Sequence, residues 1–172
     1  MAGKGRVAAV MMLFFPEESG EFCFVLTRRP DTLKHHPGQI SFPGGRVEDG
    51  ETLQQAALRE VDEEIGVRAD KIEVLGSLEP FYVPPSDFTV TPFVGWCSDK
   101  PEFILQSEEV AELIVAPLEH FMDPATRRFS DVDSDPQDDR SVPWFAFEDL
   151  QIWGASAMFL DDLIQRIERC HD

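Results

Sequence analysis

The sequence predicts a mixed α+β fold on the basis of two observations. Apolar segments with the length of β-strands recur along most of the chain, and two helical segments interrupt them, one in the middle and one at the end. The 172 residues suffice for one domain with one hydrophobic core. We therefore predict a single domain over residues 1–172.

The chain starts with two predicted strands. The continuous apolar run Val7–Phe15 is typical of a strand that is buried on both faces. It is too short to span a membrane as a helix, and no small-residue cleavage site follows it, which argues against a signal peptide. After the turn Pro16–Gly20, the segment Phe22–Thr27 is predicted as the second strand.

The next segment, Arg28–Gly38, is a basic loop in an acidic chain. Its cations include Arg28, Arg29 and Lys34. A solvated surface loop is the simplest interpretation, but the position of this loop just before an acidic helix makes anion binding an equal alternative. A short strand is predicted to follow at Gln39–Phe42.

The central helix is predicted at Leu53–Ile65. Thr52 and Gln55 form a capping box at its start, and Gly66 can take the left-handed conformation that ends it. An apolar stripe on one side must face the core, and it consists of Ala57, Leu58, Val61 and Ile65.

Three carboxylates lie in one arc of this helix, because Glu63 and Glu64 fall on either side of Glu60 at about 100° per residue. Like charges at this spacing repel one another. One interpretation is a solvated acidic face. The other is a site for Mg²⁺ or Mn²⁺, which prefer oxygen ligands and would turn the repulsion into attraction.

The second half of the chain adds strands and a closing helix. Pro92 lies inside the predicted strand Phe88–Cys97, which predicts an edge position or a bulge there. The other predicted elements are strands at Ile72–Leu78, Glu109–Ala116 and Val142–Phe147, a short helical segment at Pro117–Met122, and a helix from Trp153 or Gly154 to Cys170.

Ser130–Ser141 is predicted as an exposed acidic loop, because it contains five aspartates and a single apolar residue. A calcium loop is the alternative interpretation. The segment lacks the glycine and the terminal glutamate of an EF-hand, so we prefer the exposed loop.

The overall charge and the cysteines limit the classes of partner and the location. The net charge of −18 argues against binding to nucleic acid or to an anionic membrane. Cys23, Cys97 and Cys170 lack metal-binding spacing, which predicts reduced thiols in a cytosolic protein. The chain does not end in a peroxisomal tripeptide, so we expect a cytoplasmic location. The sequence leaves open whether the protein is a monomer or a homodimer.

The central stretch resembles the Nudix box, Gly-x5-Glu-x7-Arg-Glu-apolar-x-Glu-Glu-x-Gly-apolar. The matching residues are Gly45, Glu51, Arg59, Glu60, Val61, Glu63, Glu64, Gly66 and Val67. This resemblance implies an α/β/α sandwich with a mixed central sheet. It also implies a metal-dependent hydrolase that cleaves a diphosphate linked to another group.

The same resemblance implies roles for the charged residues. Glu60 and Glu64 would be the principal ligands of Mg²⁺ or Mn²⁺, with Glu63 assisting, and Glu51 would orient the site through Arg59. Nudix enzymes differ in where the base that activates water lies. Glu64 is one candidate for that base, and Glu109, from a distant predicted strand, is the other.

An upstream segment resembles the additional motif of the coenzyme A pyrophosphatases of this family, LLTxRSxxxRxxxGxxxFPGG. Pro30 stands in place of its Ser, and Lys34 stands in place of its second Arg, which keeps the charge but loses the bidentate geometry. The matching residues are Leu26, Thr27, Arg29, Gly38, Phe42, Pro43, Gly44 and Gly45.

This second resemblance implies hydrolysis of coenzyme A, or of its acyl derivatives, to 3′,5′-ADP and 4′-phosphopantetheine or its acyl form. Arg28, Arg29 and Lys34 would bind the diphosphate or the 3′-phosphate. Gly44 and Gly45 would allow close approach of the backbone to the ligand. The alternatives are a Nudix hydrolase of another nucleoside diphosphate derivative, such as ADP-ribose or a dinucleoside polyphosphate, and a non-catalytic nucleotide-binding module.

Overall fold

A computed structural model describes residues 5–131 and 141–171. Three α-helices lie among eleven strands in the described part of the chain. The helices are α1 (Leu53–Ile65), α2 (Leu118–Met122) and α3 (Gly154–His171). The strands are β1 (Arg6–Pro16), β2 (Phe22–Arg28), β3 (Ile40–Ser41), β4 (Gly44–Arg46), β5 (Glu73–Ser77), β6 (Phe81–Val83), β7 (Phe88–Trp96), β8 (Glu112–Pro117), β9 (Arg127–Asp131), β10 (Ser141–Phe147) and β11 (Leu150–Ile152).

The eight strands β1–β8 form one mixed sheet. Its central path is β3-β2-β1-β7-β5, while β4 pairs with β1, β8 with β2, and β6 with β7. β1 and β7 are parallel over the whole length from Arg6↔Phe88 to Phe14↔Trp96, and the other pairs are antiparallel. β9, β10 and β11 form a separate antiparallel sheet.

Helices cover both faces of the large sheet, so the predicted α/β/α sandwich with a mixed central sheet is confirmed. Side chains along β1 alternate between the faces. Met11 and Leu13 pack in the cluster that contains Val61 of α1. Met12 packs in the opposite cluster, which contains Leu160 of α3. The buried first strand and the boundaries of α1 agree with the sequence prediction.

The edge position predicted for the strand that contains Pro92 is wrong. β7 lies inside the sheet, between β1 on one side and β5 and β6 on the other. The Pro92 carbonyl accepts a hydrogen bond from the Leu78 N–H at 2.8 Å, and the nitrogen and carbonyl of one strand residue point to the same side. On that side β5 ends at Ser77 and β6 begins at Phe81. The missing N–H of Pro92 therefore faces the gap between two short strands, and the nearby register shift lies in β5.

Several other predicted boundaries differ from the structure. β8 begins at Glu112, so Glu109 lies in a turn before the strand rather than in the strand. Ser130 and Asp131 belong to β9, and Ser141 begins β10, so the ends of the predicted acidic loop are strand residues. The middle of that loop, residues 132–140, lies outside the described residues. Within the described parts of the chain, no helix is long and apolar enough to cross a membrane.

Candidate active site

The ends of α1 are fixed by local hydrogen bonds. The Gln55 N–H donates to the Thr52 hydroxyl at 3.1 Å, and the Thr52 N–H donates to the Gln55 side chain at 2.9 Å. At the other end, Gly66 has φ +73° and its N–H donates to the Asp62 carbonyl at 2.9 Å. These caps set where the helix begins and ends, and within it the helical period sets the direction of each glutamate.

Arg59 holds several acidic groups together along one side of α1. Its guanidinium binds both oxygens of Glu51, at 2.7 and 3.1 Å, and it also donates to the Arg46 carbonyl at 3.0 Å. One of its nitrogens lies 3.1 Å from a carboxylate oxygen of both Glu60 and Glu63. The hydrogen bond from Arg59 lowers the pKa of Glu51, and the same bond raises the pKa of Arg59. Glu51 is thus bound to Arg59 and to the Glu48 N–H.

Three carboxylates from two parts of the chain meet beside this ion pair. One oxygen each of Glu60, Glu64 and Glu109 lies within 4.8 Å of the others. Among the described residues, this is the one group of three or more acidic, histidine or cysteine side chains close enough to hold one metal ion. Glu63 is outside this group. Its side chain is 53% exposed, and its carboxylate is bound to Arg59.

The electrostatics of this carboxylate cluster favour a cation. Burial is the main cause that raises the pKa of Glu64 to about 8, and the charge of the neighbouring Glu60 is the second cause. The Gly44 N–H, which donates to the Glu64 carboxylate at 3.3 Å, acts in the opposite direction. Burial also raises the pKa of Glu60, against the effect of Arg59. Carboxylates that are costly to ionise together are stabilised by a shared divalent cation. The all-oxygen donor set fits Mg²⁺ or Mn²⁺.

The two glycines before α1 have protein atoms where a side chain would be. A Cβ at Gly44 would overlap the backbone of β1 at Ala9 and Val10, and a Cβ at Gly45 would overlap the Glu60 carboxylate. Both residues belong to β4, which pairs with β1. In the structure, these glycines therefore allow close approach of β4 to β1 and to the carboxylate cluster.

The structure distinguishes the cations of the basic loop from one another. Arg28 forms an exposed ion pair with Glu112, its neighbour on β8, at 3.2 Å. Arg29 instead has a buried Nε without a hydrogen-bond partner among the described residues, and its charge opposes the pKa rise of Glu64. Lys34 is exposed. Of these three cations, Arg29 is therefore the one whose charge acts on the carboxylate cluster.

Sequence reasoning did not single out Gln106. The Gln106 N–H donates to the Glu64 carbonyl at 3.0 Å, and the Gln106 carbonyl accepts from the Glu109 N–H at 3.0 Å. These contacts use backbone groups, which every non-proline residue has, so the residue type gives no signal for them.

Comparisons with known proteins show the family of this chain. The NUDIX domain model matches residues 5–163. A Yersinia pestis protein named as an uncharacterized Nudix hydrolase, NudL, is 35% identical over 145 residues, which cover 83% of this chain and 71% of that protein. Nudix hydrolase 3 of Caenorhabditis elegans is 39% identical over 106 residues, which cover 60% of this chain and 44% of that protein. The chain thus matches less than half of the length of the worm relative.

A solved structure supports the fold. The MutT protein of Methanosarcina mazei superposes with a TM-score of 0.58 and 19% sequence identity, and the match covers 98% of each chain. At this level of identity, the likeness concerns the fold alone.

Proposed function

Since the chain belongs to the NUDIX domain family of hydrolases, we propose that it hydrolyses the diphosphate bond of coenzyme A or its acyl derivatives. The products would be 3′,5′-ADP and 4′-phosphopantetheine, or acyl-phosphopantetheine. Membership of the family supports the coarser statement, hydrolysis of a nucleoside diphosphate derivative. The finer proposal depends on one observation about Arg29, a residue of the coenzyme A-like motif. Its Nε is buried and has no hydrogen-bond partner among the described residues.

Glu60, Glu64 and Glu109 would hold the divalent cation, because their oxygens already lie within 4.8 Å of one another. When bound, Mg²⁺ or Mn²⁺ neutralises the diphosphate and polarises its phosphorus for attack by water. Glu63 would assist in binding the cation from the edge of the carboxylate cluster, where its carboxylate contacts Arg59.

The protein's own residues supply orientation and proton transfer. The Glu51–Arg59 pair would orient the Glu60 carboxylate, because Arg59 lies 3.1 Å from one of its oxygens. Glu64 and Glu109 are the candidates for the base that accepts the proton of the attacking water. We favour Glu109, because its side chain is exposed where water can enter, whereas the Glu64 carboxylate is buried and bound to the Gly44 N–H.

The substrate is an anion, and the overall charge of −18 opposes its approach. Arg29 would donate to the diphosphate, since a guanidinium binds phosphate oxygens through two parallel hydrogen bonds. Lys34, exposed on the same loop, would bind the 3′-phosphate. Arg28 contributes less to this proposal than the sequence implied, because Glu112 already neutralises it.

The reaction adds one water molecule across the diphosphate. The water oxygen forms a bond to one phosphorus, the bridging P–O bond breaks, and the water proton passes to the base. We propose a cytoplasmic location, consistent with Cys23, Cys97 and Cys170 being free thiols.

A substrate panel tests the proposal. The protein would be incubated with Mg²⁺ or Mn²⁺ and with coenzyme A, acyl-coenzyme A, ADP-ribose, NADH or diadenosine polyphosphates in ¹⁸O-water, and the products would be identified by mass. We expect preferential cleavage of coenzyme A, with one ¹⁸O in a single product. Preferential cleavage of ADP-ribose or a dinucleoside polyphosphate would contradict the coenzyme A assignment. Nucleotide binding without any turnover would favour a non-catalytic module.

A further inference from the structure

Glu109 reaches the carboxylate cluster from residues 97–111, the connecting segment between β7 and β8. Two N–H groups of this segment bind the end of α1. The Ile104 N–H donates to the Ile65 carbonyl at 2.9 Å, and the Gln106 N–H donates to the Glu64 carbonyl at 3.0 Å. The last carbonyls of a helix have no partner inside the helix, so the connecting segment supplies the missing donors.

The same segment then forms a closed turn. The Gln106 carbonyl accepts hydrogen bonds from the N–H groups of Glu109, at 3.0 Å, and of Val110, at 2.8 Å. The Val110 side chain is buried, and the Ala111 N–H donates to the Arg28 carbonyl at 2.8 Å. The turn is thus held by α1 at its first residue and by β2 just after its last.

The end of α1 leaves room for this segment only because residue 66 is glycine. A Cβ at Gly66 would lie 2.8 Å from the Ile104 Cβ and 3.0 Å from the Ile104 carbonyl oxygen. The positive φ of Gly66 ends the helix where the segment crosses it. The connecting segment and the last turn of α1 are therefore in direct contact.

We propose that Gln106 is a positioning residue for the metal site. Its N–H holds the peptide of Glu64 and its carbonyl holds the peptide of Glu109, so the backbone of one residue sets the separation of two carboxylates. Cation binding is therefore coupled to the order of the turn Gln106–Val110. This inference rests on the proposed function only in requiring that the carboxylate cluster bind a divalent cation.

A double-mutant cycle tests the coupling. Gln106→Pro removes the N–H donor and keeps the carbonyl, whereas Gln106→Ala keeps both. Leu105→Pro is the control for the general effect of a proline in this segment, because the Leu105 N–H donates to no backbone group among the described residues. Mn²⁺ affinity would be measured calorimetrically for each variant, with Glu109 intact and with Glu109→Gln, and thermal unfolding in EDTA would check the fold.

We expect Gln106→Pro to weaken Mn²⁺ binding about tenfold with Glu109 intact, equivalent to about 1.4 kcal/mol. In the Glu109→Gln background the loss should be less than about twofold, because the separation that Gln106 sets matters only when Glu64 and Glu109 both bind the cation. Gln106→Ala and Leu105→Pro should change the affinity little in either background. An equal loss from Gln106→Pro in both backgrounds would overturn the proposal.

Hydrogen exchange gives a second test without any proline variant. Adding Mn²⁺ to the unmodified protein should slow amide exchange in residues 104–110 as well as in α1, and Glu109→Gln should abolish the slowing in 104–110 alone. Protection confined to α1 in the unmodified protein would overturn the coupling. Absence of Mn²⁺ binding by the unmodified protein would contradict the metal site and the proposed function together, whereas binding without coupling would contradict this inference alone.

Discussion

Helix α1 and the connecting segment 97–111 both bring carboxylates to the candidate active site, but they do so by different means. On α1, the helical period places Glu60 and Glu64 on one face, while a side-chain capping box at the start and Gly66 at the end fix the length of the helix. In the connecting segment, backbone hydrogen bonds through Gln106 place Glu109. The first mechanism leaves a spacing pattern in the sequence, whereas the second leaves none.

Removing the buried carboxylate of α1 should have the largest effect. Glu64→Gln is expected to lower kcat by about 10²–10⁴-fold, because it removes a cation ligand and a candidate base. Glu63→Gln is the matched control on the next residue, and it should cost less because Glu63 is half exposed and faces Arg59. Steady-state kinetics with coenzyme A and Mg²⁺, with circular dichroism as a check on the fold, measures both. Near-normal turnover of Glu64→Gln would refute its role.

The two arginines of the basic loop provide a second contrast. Arg29→Ala should raise KM for coenzyme A by about tenfold, since it removes a charge-assisted contact to the diphosphate. Arg28→Ala should change KM less than about twofold, because it breaks only an exposed ion pair with Glu112. Initial-rate measurements over a range of substrate concentrations separate the two. The reverse order would contradict the assignment of the diphosphate contact to Arg29.

The pH dependence of stability tests the electrostatics of the carboxylate cluster without substrate. Burial and Glu60 raise the pKa of Glu64 from 4.5 to about 8 in the folded protein. Between these values the folded protein binds more protons than the unfolded chain, so the free energy of unfolding should fall as pH rises from about 4.5 to about 8. Urea unfolding in EDTA at several pH values measures this slope. Glu64→Gln should flatten most of it, and an unchanged slope would contradict the assignment.

The smallest effect is expected at Lys34. Lys34→Ala should weaken the use of coenzyme A a few-fold and leave dephospho-coenzyme A unchanged, because an exposed lysine contributes about 0–1 kcal/mol to a single charge contact. The ratio of kcat/KM for the two substrates is the measurement, and Lys71→Ala, an exposed lysine on another element, is the control. Equal losses on both substrates would remove the proposed 3′-phosphate contact.

Local signals explain which elements the sequence predicted well. The boundaries of α1 agree with the prediction because Thr52, Gln55 and Gly66 act within one turn of the helix ends. β4, in contrast, was not predicted, since its Gly-Gly-Arg sequence has no strand propensity and its pairing with β1 depends on the tertiary structure. β9 and β11 were also not predicted, because they too depend on tertiary pairing, in their case with β10.

The candidate site shows the same division between features with a local sequence signal and features that depend on the tertiary structure. The spacing of the helix glutamates was compatible with a metal site, and the family resemblance implied Glu63 as the assisting ligand and Glu109 only as a candidate base. The structure groups Glu109 with Glu60 and Glu64 instead, and it directs Glu63 to Arg59. Likewise, the sequence implied a role in phosphate binding for both Arg28 and Arg29, and only the pairing of β2 with β8 shows that Glu112 binds Arg28.

In our proposal, the metal site combines helix α1 with the connecting segment, rather than using the three glutamates of α1 alone. Mn²⁺ affinity, measured by calorimetry for Glu109→Gln and Glu63→Gln side by side, tests it most directly. The geometry predicts that Glu109→Gln weakens binding by about tenfold or more, whereas Glu63→Gln weakens it less than about threefold. A larger loss for Glu63→Gln, with Glu109→Gln close to the unmodified protein, would contradict it.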